Sequence, residues 1–82
     1  MNGTIEFVED EETKLDPSVK RLEIQVIDDI ENVAEKLVAC RVNGIKAFAI
    51  FNGIRVDNYD NKDFIGIVSQ YYDALEDKSI KR

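Results

Sequence analysis

One stretch of sequence decides the fold: Lys46-Ala47-Phe48-Ala49-Ile50-Phe51-Asn52-Gly53-Ile54-Arg55-Val56-Asp57. An apolar run leads into a single Asn-Gly pair, and an alternating run leads out of it. Asn-Gly between two such runs is typical of a two-residue β-hairpin, because both residues tolerate the positive φ angles of a type I′ turn. The stretch therefore predicts two antiparallel strands joined at Asn52-Gly53.

A two-residue turn also predicts which side chains share a face of the hairpin. Cross-strand partners lie on the same side of a sheet, and successive residues alternate between its two sides. Ile50 is then opposite Arg55, and Ala49 is opposite Val56. The expected core face carries Ala47, Ala49, Phe51, Ile54 and Val56, whereas the other face carries Phe48, Ile50, Arg55 and Asp57.

Two interpretations of Phe48 and Ile50 remain open on the sequence. In one, the strand is central and covered on both sides, or a one-residue bulge shifts the register. In the other, the two residues form an apolar patch rimmed by Arg55 and Asp57, as at a dimer or partner interface. The second interpretation makes Phe48, Ile50, Arg55 and Asp57 the candidate interface residues.

The first third of the chain is less regular. Alternation over residues 4–8 predicts a short strand, and the acidic run at residues 9–12 predicts a solvated loop because like charges repel. Alternation over residues 22–26 favours a second strand. The apolar spacing from Val19 to Leu37 also fits one long helix that begins at Pro17, so residues 17–27 remain open between strand and helix.

Two helices are expected on either side of the hairpin. From Asp29 onward, apolar residues recur at helical spacing, with Asp28 and Glu31 as a capping-box-like pair and Asn43-Gly44 as the stop. The last helix is expected to begin at Asp60, with Tyr59 and Phe64 as a hydrophobic staple. Its stripe consists of Phe64, Ile67, Val68, Tyr71 and Leu75, flanked by Ile65 and Tyr72.

These elements predict one α+β domain over residues 1–82. The order is ββαββα, with an antiparallel sheet that contains the Asn-Gly hairpin at its centre and packs against two helices.

Composition narrows the function more than any motif does. Seventeen acidic and eleven basic residues give a net charge of −6, which disfavours nucleic acid and anionic membranes as partners. There is no histidine, so the commonest metal ligand and general base are missing. The lone Cys40 indicates a reducing cytoplasm, and no apolar stretch approaches the length that spans a bilayer.

Two groups of residues are candidates for chemical sites. Asp57, Asn58, Asp60, Asn61 and Asp63 could hold a cation, but their spacing departs from an EF-hand and is typical of a turn and helix cap. Cys40 lacks an activating histidine and fits a small buried residue. We therefore predict no catalytic, cofactor-binding or metal residues and no enzymatic activity, and whether the Asp57–Asp63 cluster binds a cation stays open.

The stretch Phe48-Ala49-Ile50-Phe51-Asn52-Gly53-Ile54-Arg55-Val56-Asp57, with the small size and acidity of the chain, resembles short uncharacterised proteins encoded by bacteriophages and prophages of bacteria. The resemblance covers the second half of the chain and implies a cytoplasmic accessory protein. No functional residue is carried over by it.

The expected function is a non-enzymatic, cytoplasmic domain that acts by protein–protein contact, with a homodimer as one form. The alternative is an acidic mimic of nucleic acid, or an inhibitor, that binds a basic protein surface. Its charge would come from residues 9–12, Asp28, Asp29 and the Asp57–Asp63 cluster.

Overall fold

The structure is a computed structural model that describes residues 5–80, and their side chains as far as residue 77. Its elements are β1 (Phe7–Val8), α1 (Glu11–Leu15), β2 (Val19–Leu22), α2 (Ile30–Val42), β3 (Lys46–Phe51), β4 (Ile54–Asp57) and α3 (Phe64–Ile80). A 3₁₀ turn at Tyr59–Asn61 connects β4 to α3.

The predicted Asn-Gly hairpin is confirmed with its register. Phe51 pairs with Ile54 and Ile50 with Arg55. Asn52 and Gly53 have φ angles of 53° and 76°, both positive as a type I′ turn requires. The expected faces follow, because the register alone decides which side of the sheet each side chain occupies.

The four strands form one sheet in the order β1-β2-β3-β4. The α+β class is confirmed, but the expectation of an antiparallel sheet is wrong for one pair, because β2 and β3 run parallel. The cause lies in α2, which connects these two strands and carries the chain back along the sheet before β3 begins. The sheet is therefore mixed.

Residues 17–27 contain a strand and no helix, but the bounds of this strand differ from the predicted ones. It covers Val19–Leu22. Ile24 beyond it is half-buried and packs against the core, and residues 25–27 are exposed. The Asp28 carboxylate closes the turn at these residues by accepting the Gln25 N–H at 2.8 Å. This local hydrogen bond fixes the turn that leads from the strand into α2.

The acidic run is partly helical, which corrects the predicted loop at residues 9–12. Asp10 caps α1 through a reciprocal capping box with Thr13, so Glu11 and Glu12 form the first helical turn, where negative charge is favourable. The strand predicted before this run is confirmed only at Phe7–Val8. Its first residue, Thr4, lies outside the described residues.

Both long helices exist, and each begins one or more residues after the predicted start. Asp29, not Asp28, caps α2 by accepting the Asn32 N–H at 2.8 Å, and the predicted stop is confirmed by Gly44 with a φ of 76°. The prediction that α3 begins at Asp60 is wrong. The cap is Asp63, whose carboxylate accepts the Gly66 N–H at 2.8 Å, so the proposed staple between Tyr59 and Phe64 does not flank the cap.

Helices α2 and α3 cover one face of the sheet, and the main core lies between them. Ala47 and Ala49 of β3 are fully buried there, which permits the close approach of α2 that small side chains predict. Tyr71 of α3 packs its ring 5.5 Å from that of Phe51. The buried members of this core are Leu22, Ile30, Val33, Ala34, Leu37, Cys40, Ala47, Ala49, Ile54, Val56, Ile67 and Tyr71.

Candidate interaction surface

The face of the sheet opposite α2 and α3 is called here the second face. One row of side chains crosses all four strands on it, because Val8 pairs with Arg21, Arg21 with Phe48, and Phe48 with Asp57. Ile50 and Arg55 form the next row. The four predicted interface residues therefore share this face.

Phe48 is not an exposed residue, which corrects the interface prediction at its centre. Only 1% of it is accessible to solvent. The guanidinium carbon of Arg55 lies 4.1 Å from the centroid of its ring, a stacking geometry in which the cation is attracted by the π face. The alternative in which the strand is covered on both sides is confirmed for Phe48, whereas Ile50 is half-buried.

Arg55 is held above Phe48 by two partners. Its guanidinium donates to both carboxylate oxygens of Glu12, with one nitrogen–oxygen distance of 2.8 Å, and to the Tyr59 hydroxyl at 3.2 Å. This forked hydrogen bond lowers the pKa of Glu12 and raises that of Arg55. On the second face, Phe48 is therefore covered by the Arg55 side chain, which Glu12 of α1 holds in place.

Asp57, at the end of the first row, is occupied by internal contacts. Its carboxylate accepts from Lys62 at 2.7 Å, the Tyr59 N–H at 3.1 Å and Gln70 at 3.3 Å. Burial alone would raise the pKa of Asp57, but these hydrogen bonds outweigh it, so the pKa lies below its usual value. Asp57 joins β4 to the turn and to α3.

The residues of the Asp57–Asp63 cluster have separate structural roles. Asn58 is buried, and its side chain accepts the Ala47 N–H at 3.0 Å and donates to the carbonyls of Leu37 and Ile45, both at 2.9 Å. Asp63 caps α3, and Asp60 is exposed in the 3₁₀ turn. Among residues 5–80, no three Asp, Glu or Cys side chains lie close enough together to hold a metal ion.

Cys40 lies in the core, as expected for a small apolar residue. Burial raises the pKa of its thiol, which disfavours the reactive thiolate.

A second surface lies on the outer side of α3. Ile65, Tyr72 and Leu75 are 66%, 52% and 38% exposed, and Val68 between them is half-buried. We call these four residues the α3 stripe. They follow one another at intervals of three and four residues and so share a side of the helix. The sequence placed Ile65 and Tyr72 beside the buried stripe but assigned Val68 and Leu75 to it. Val68 does pack against the core, whereas Leu75 is exposed, which corrects that assignment. The seven-residue spacing of Ile65 and Tyr72 is the pattern that identifies the surface.

Comparisons with protein-family models, curated proteins and solved structures find no match. In the part of the chain that the structure describes, no helix is long and apolar enough to cross a membrane.

Proposed function

We propose that this chain is a non-enzymatic, cytoplasmic domain that acts by protein–protein contact, and that the α3 stripe forms its interface with a second copy. The observation that carries the proposal is the exposure of Ile65, Tyr72 and Leu75 on a single side of a 17-residue helix. Contiguous apolar side chains on a surface are stabilised when another protein covers them.

The geometry of the stripe favours a helix as its counterpart. The order Ile65, Val68, Tyr72, Leu75 repeats every seven residues in alternating steps of three and four, which is the seam along which two helices pack. Tyr72 contacts Tyr71 edge to face, with ring centroids 5.2 Å apart, and this contact restrains its ring on one side. Ordered aromatic side chains lose little entropy on association and are enriched at interfaces.

A second copy presents the same stripe, and a two-fold axis would bring the two stripes together in a self-complementary contact. Each copy carries a net charge of −6, so the copies repel one another at long range. Salt screens this repulsion but leaves the apolar contact intact. Self-association through the α3 stripe should therefore strengthen as salt is added.

The test is a pair of charge substitutions. We expect Tyr72→Glu to abolish self-association while the unfolding transition persists, because a carboxylate in the seam would be desolvated without a partner. Leu15→Glu is the matched control: it also replaces an exposed apolar residue with a negative charge, but it lies in α1 on the opposite side of the sheet. Equal masses for Tyr72→Glu, Leu15→Glu and the wild type would contradict the proposal.

The acidic-mimic alternative has less support. Two of the carboxylates that would imitate phosphates are engaged internally: Asp28 pairs with Lys36 at 3.2 Å, and Asp57 with Lys62 at 2.7 Å. Binding of a basic partner by the remaining acids would weaken with added salt, which is the opposite of the dependence expected for the α3 stripe.

A further inference from the structure

The connection between β1 and β2 folds over the second face of the sheet. These two strands are antiparallel neighbours, with Phe7 opposite Leu22 and Val8 opposite Arg21. Residues 9–18, which join them and contain α1, therefore form the loop of a wide hairpin, and we call this loop the flap. Both of its ends are anchored in the sheet, so it can swing while the strands remain paired.

The flap is thinly packed against the sheet. Of the five α1 residues only Thr13 is buried, and Leu15 is 86% exposed. A depression of about 160 Å³ separates part of the flap from the strands, and Val8, Thr13 and Val19 are among the residues that line it. Segments with few buried apolar contacts open at a lower free energy than the core does.

Ion pairs, rather than apolar contacts, attach the flap to the sheet. Residues 9–18 contain five acids and one base. The Asp10 carboxylate accepts a hydrogen bond from Arg21 at 3.0 Å, and the Glu12 carboxylate accepts hydrogen bonds from the Arg55 guanidinium. The Thr13 amide, together with Arg21, lowers the pKa of Asp10. The flap thus lies as an acidic segment on a face that offers two guanidinium groups around Phe48.

We propose that the flap is an internal ligand, and that the surface beneath it binds an acidic segment of a partner protein in its place. A carboxylate of that segment would take the position of Glu12 on Arg55, and a second would take that of Asp10 on Arg21. Displacing the flap also opens the apolar side chain of Val19, which lines the depression beneath it, to the incoming segment. The charge of the flap itself identifies the chemistry that the face recognises.

This site is independent of the proposed self-association. The flap lies on the second face, whereas α3 packs on the opposite face of the sheet. An experiment that disproves the interface at the α3 stripe therefore leaves the flap proposal unaffected, and the reverse also holds.

A synthetic peptide with the sequence of residues 9–18 and blocked ends is the probe. We expect Glu12→Ala to bind this peptide a few-fold more tightly than the wild type does, because the competing forked hydrogen bond, which is exposed to solvent, is lost. The shifts of the Arg55 side chain and the Phe48 ring in NMR spectra should report the binding. Adding Arg55→Ala to Glu12→Ala should abolish it.

The matched control is Glu11→Ala, which removes an exposed acid from the same helical turn and should behave as the wild type does. The proposal is overturned if the peptide binds none of the variants, or binds all of them equally. It is also overturned if a single-stranded oligonucleotide binds Glu12→Ala as tightly as the peptide does, since the site would then accept any polyanion.

Hydrogen exchange of the wild type tests the flap without a substitution. The Thr13 amide, which donates to Asp10 at 3.0 Å, should exchange faster than the amides of β3, because the flap opens without global unfolding. Protection of Thr13 equal to that of β3 would show that the flap is part of the rigid core and would refute its displacement.

Discussion

At the scale of single residues, the buried Asn58 links the end of β4 to α2 and to β3 by side-chain hydrogen bonds. Its amide group satisfies the carbonyls of Leu37 in α2 and Ile45 before β3, and its oxygen accepts the Ala47 N–H. In the sequence Asn58 belongs to a group of turn-forming residues, and nothing in its local pattern indicates burial. Only the tertiary fold brings these three backbone groups to one side chain.

Replacement of Asn58 should therefore be costly. Asn58→Ala removes three hydrogen bonds to backbone groups, two of them buried, and we expect it to lower the free energy of unfolding by about 2–4 kcal/mol in a denaturant titration. Asn58→Asp should be worse at neutral pH, because a carboxylate would face two carbonyl oxygens. Its deficit should shrink as the pH falls and the carboxylate gains a proton. A loss below about 0.5 kcal/mol in either variant would contradict this role, since that is the range of ordinary surface substitutions.

Asp57 should make the stability sensitive to acid. Its pKa in the folded protein lies below the usual value, so the ionised form contributes stability above the unfolded pKa of about 3.9. That contribution is lost as the pH falls through the folded pKa. We expect Asp57→Asn to be less stable than the wild type at pH 7 and to lose less stability on acidification, as measured by thermal unfolding from neutral pH downward. Parallel pH profiles for the two proteins would contradict the assignment.

At the scale of elements, each long helix begins at a different aspartate from the one that the sequence favours. Both starts contain two or more carboxylates, and local rules accept any of them as a cap. Two other features make the choice: Lys36, further along α2, engages Asp28, and the positive φ of Asp60 keeps that residue out of α3. The existence of the helices follows from apolar spacing, whereas their first residues depend on these contacts.

The cap of α3 can be tested by two substitutions. Asp63→Ala removes the acceptor of the Gly66 N–H and should destabilise the protein by about 1 kcal/mol. Asp60→Gly should be neutral or stabilising, because glycine adopts a φ of 61° without the steric cost of a side chain. If Asp60→Gly were instead the more harmful change, Asp60 and not Asp63 would be the functional cap.

The strands show the same division between local and distant causes. The Asn52-Gly53 hairpin is local, so its register could be predicted residue by residue. The pairing of β2 with β3 is not local, since α2 separates them, and alternation alone does not distinguish parallel from antiparallel neighbours. The turn after β2 is fixed by the hydrogen bond between Asp28 and Gln25, which alternation of apolar residues does not predict.

At the scale of the whole molecule, the two faces of the sheet are covered by different means. Two amphipathic helices bury one face with apolar side chains, as the sequence predicts. The other face is closed by Arg55 and an acidic flap, so the apolar patch expected around Phe48 does not reach the surface. The sequence contains these charges, but it does not indicate that Glu12 meets Arg55 across 43 positions.

The α3 stripe is one apolar surface that does reach solvent, and we propose that it mediates self-association. The most direct measurement is the solution mass by light scattering over a series of protein concentrations, at about 0.1 M and about 1 M salt, where the Debye length falls from about 10 Å to about 3 Å. We predict a mass that rises from one chain toward two, rises further at high salt, and stays at one chain for Tyr72→Glu but not for Leu15→Glu. The mass of a single chain at every concentration and both salt levels would contradict the account.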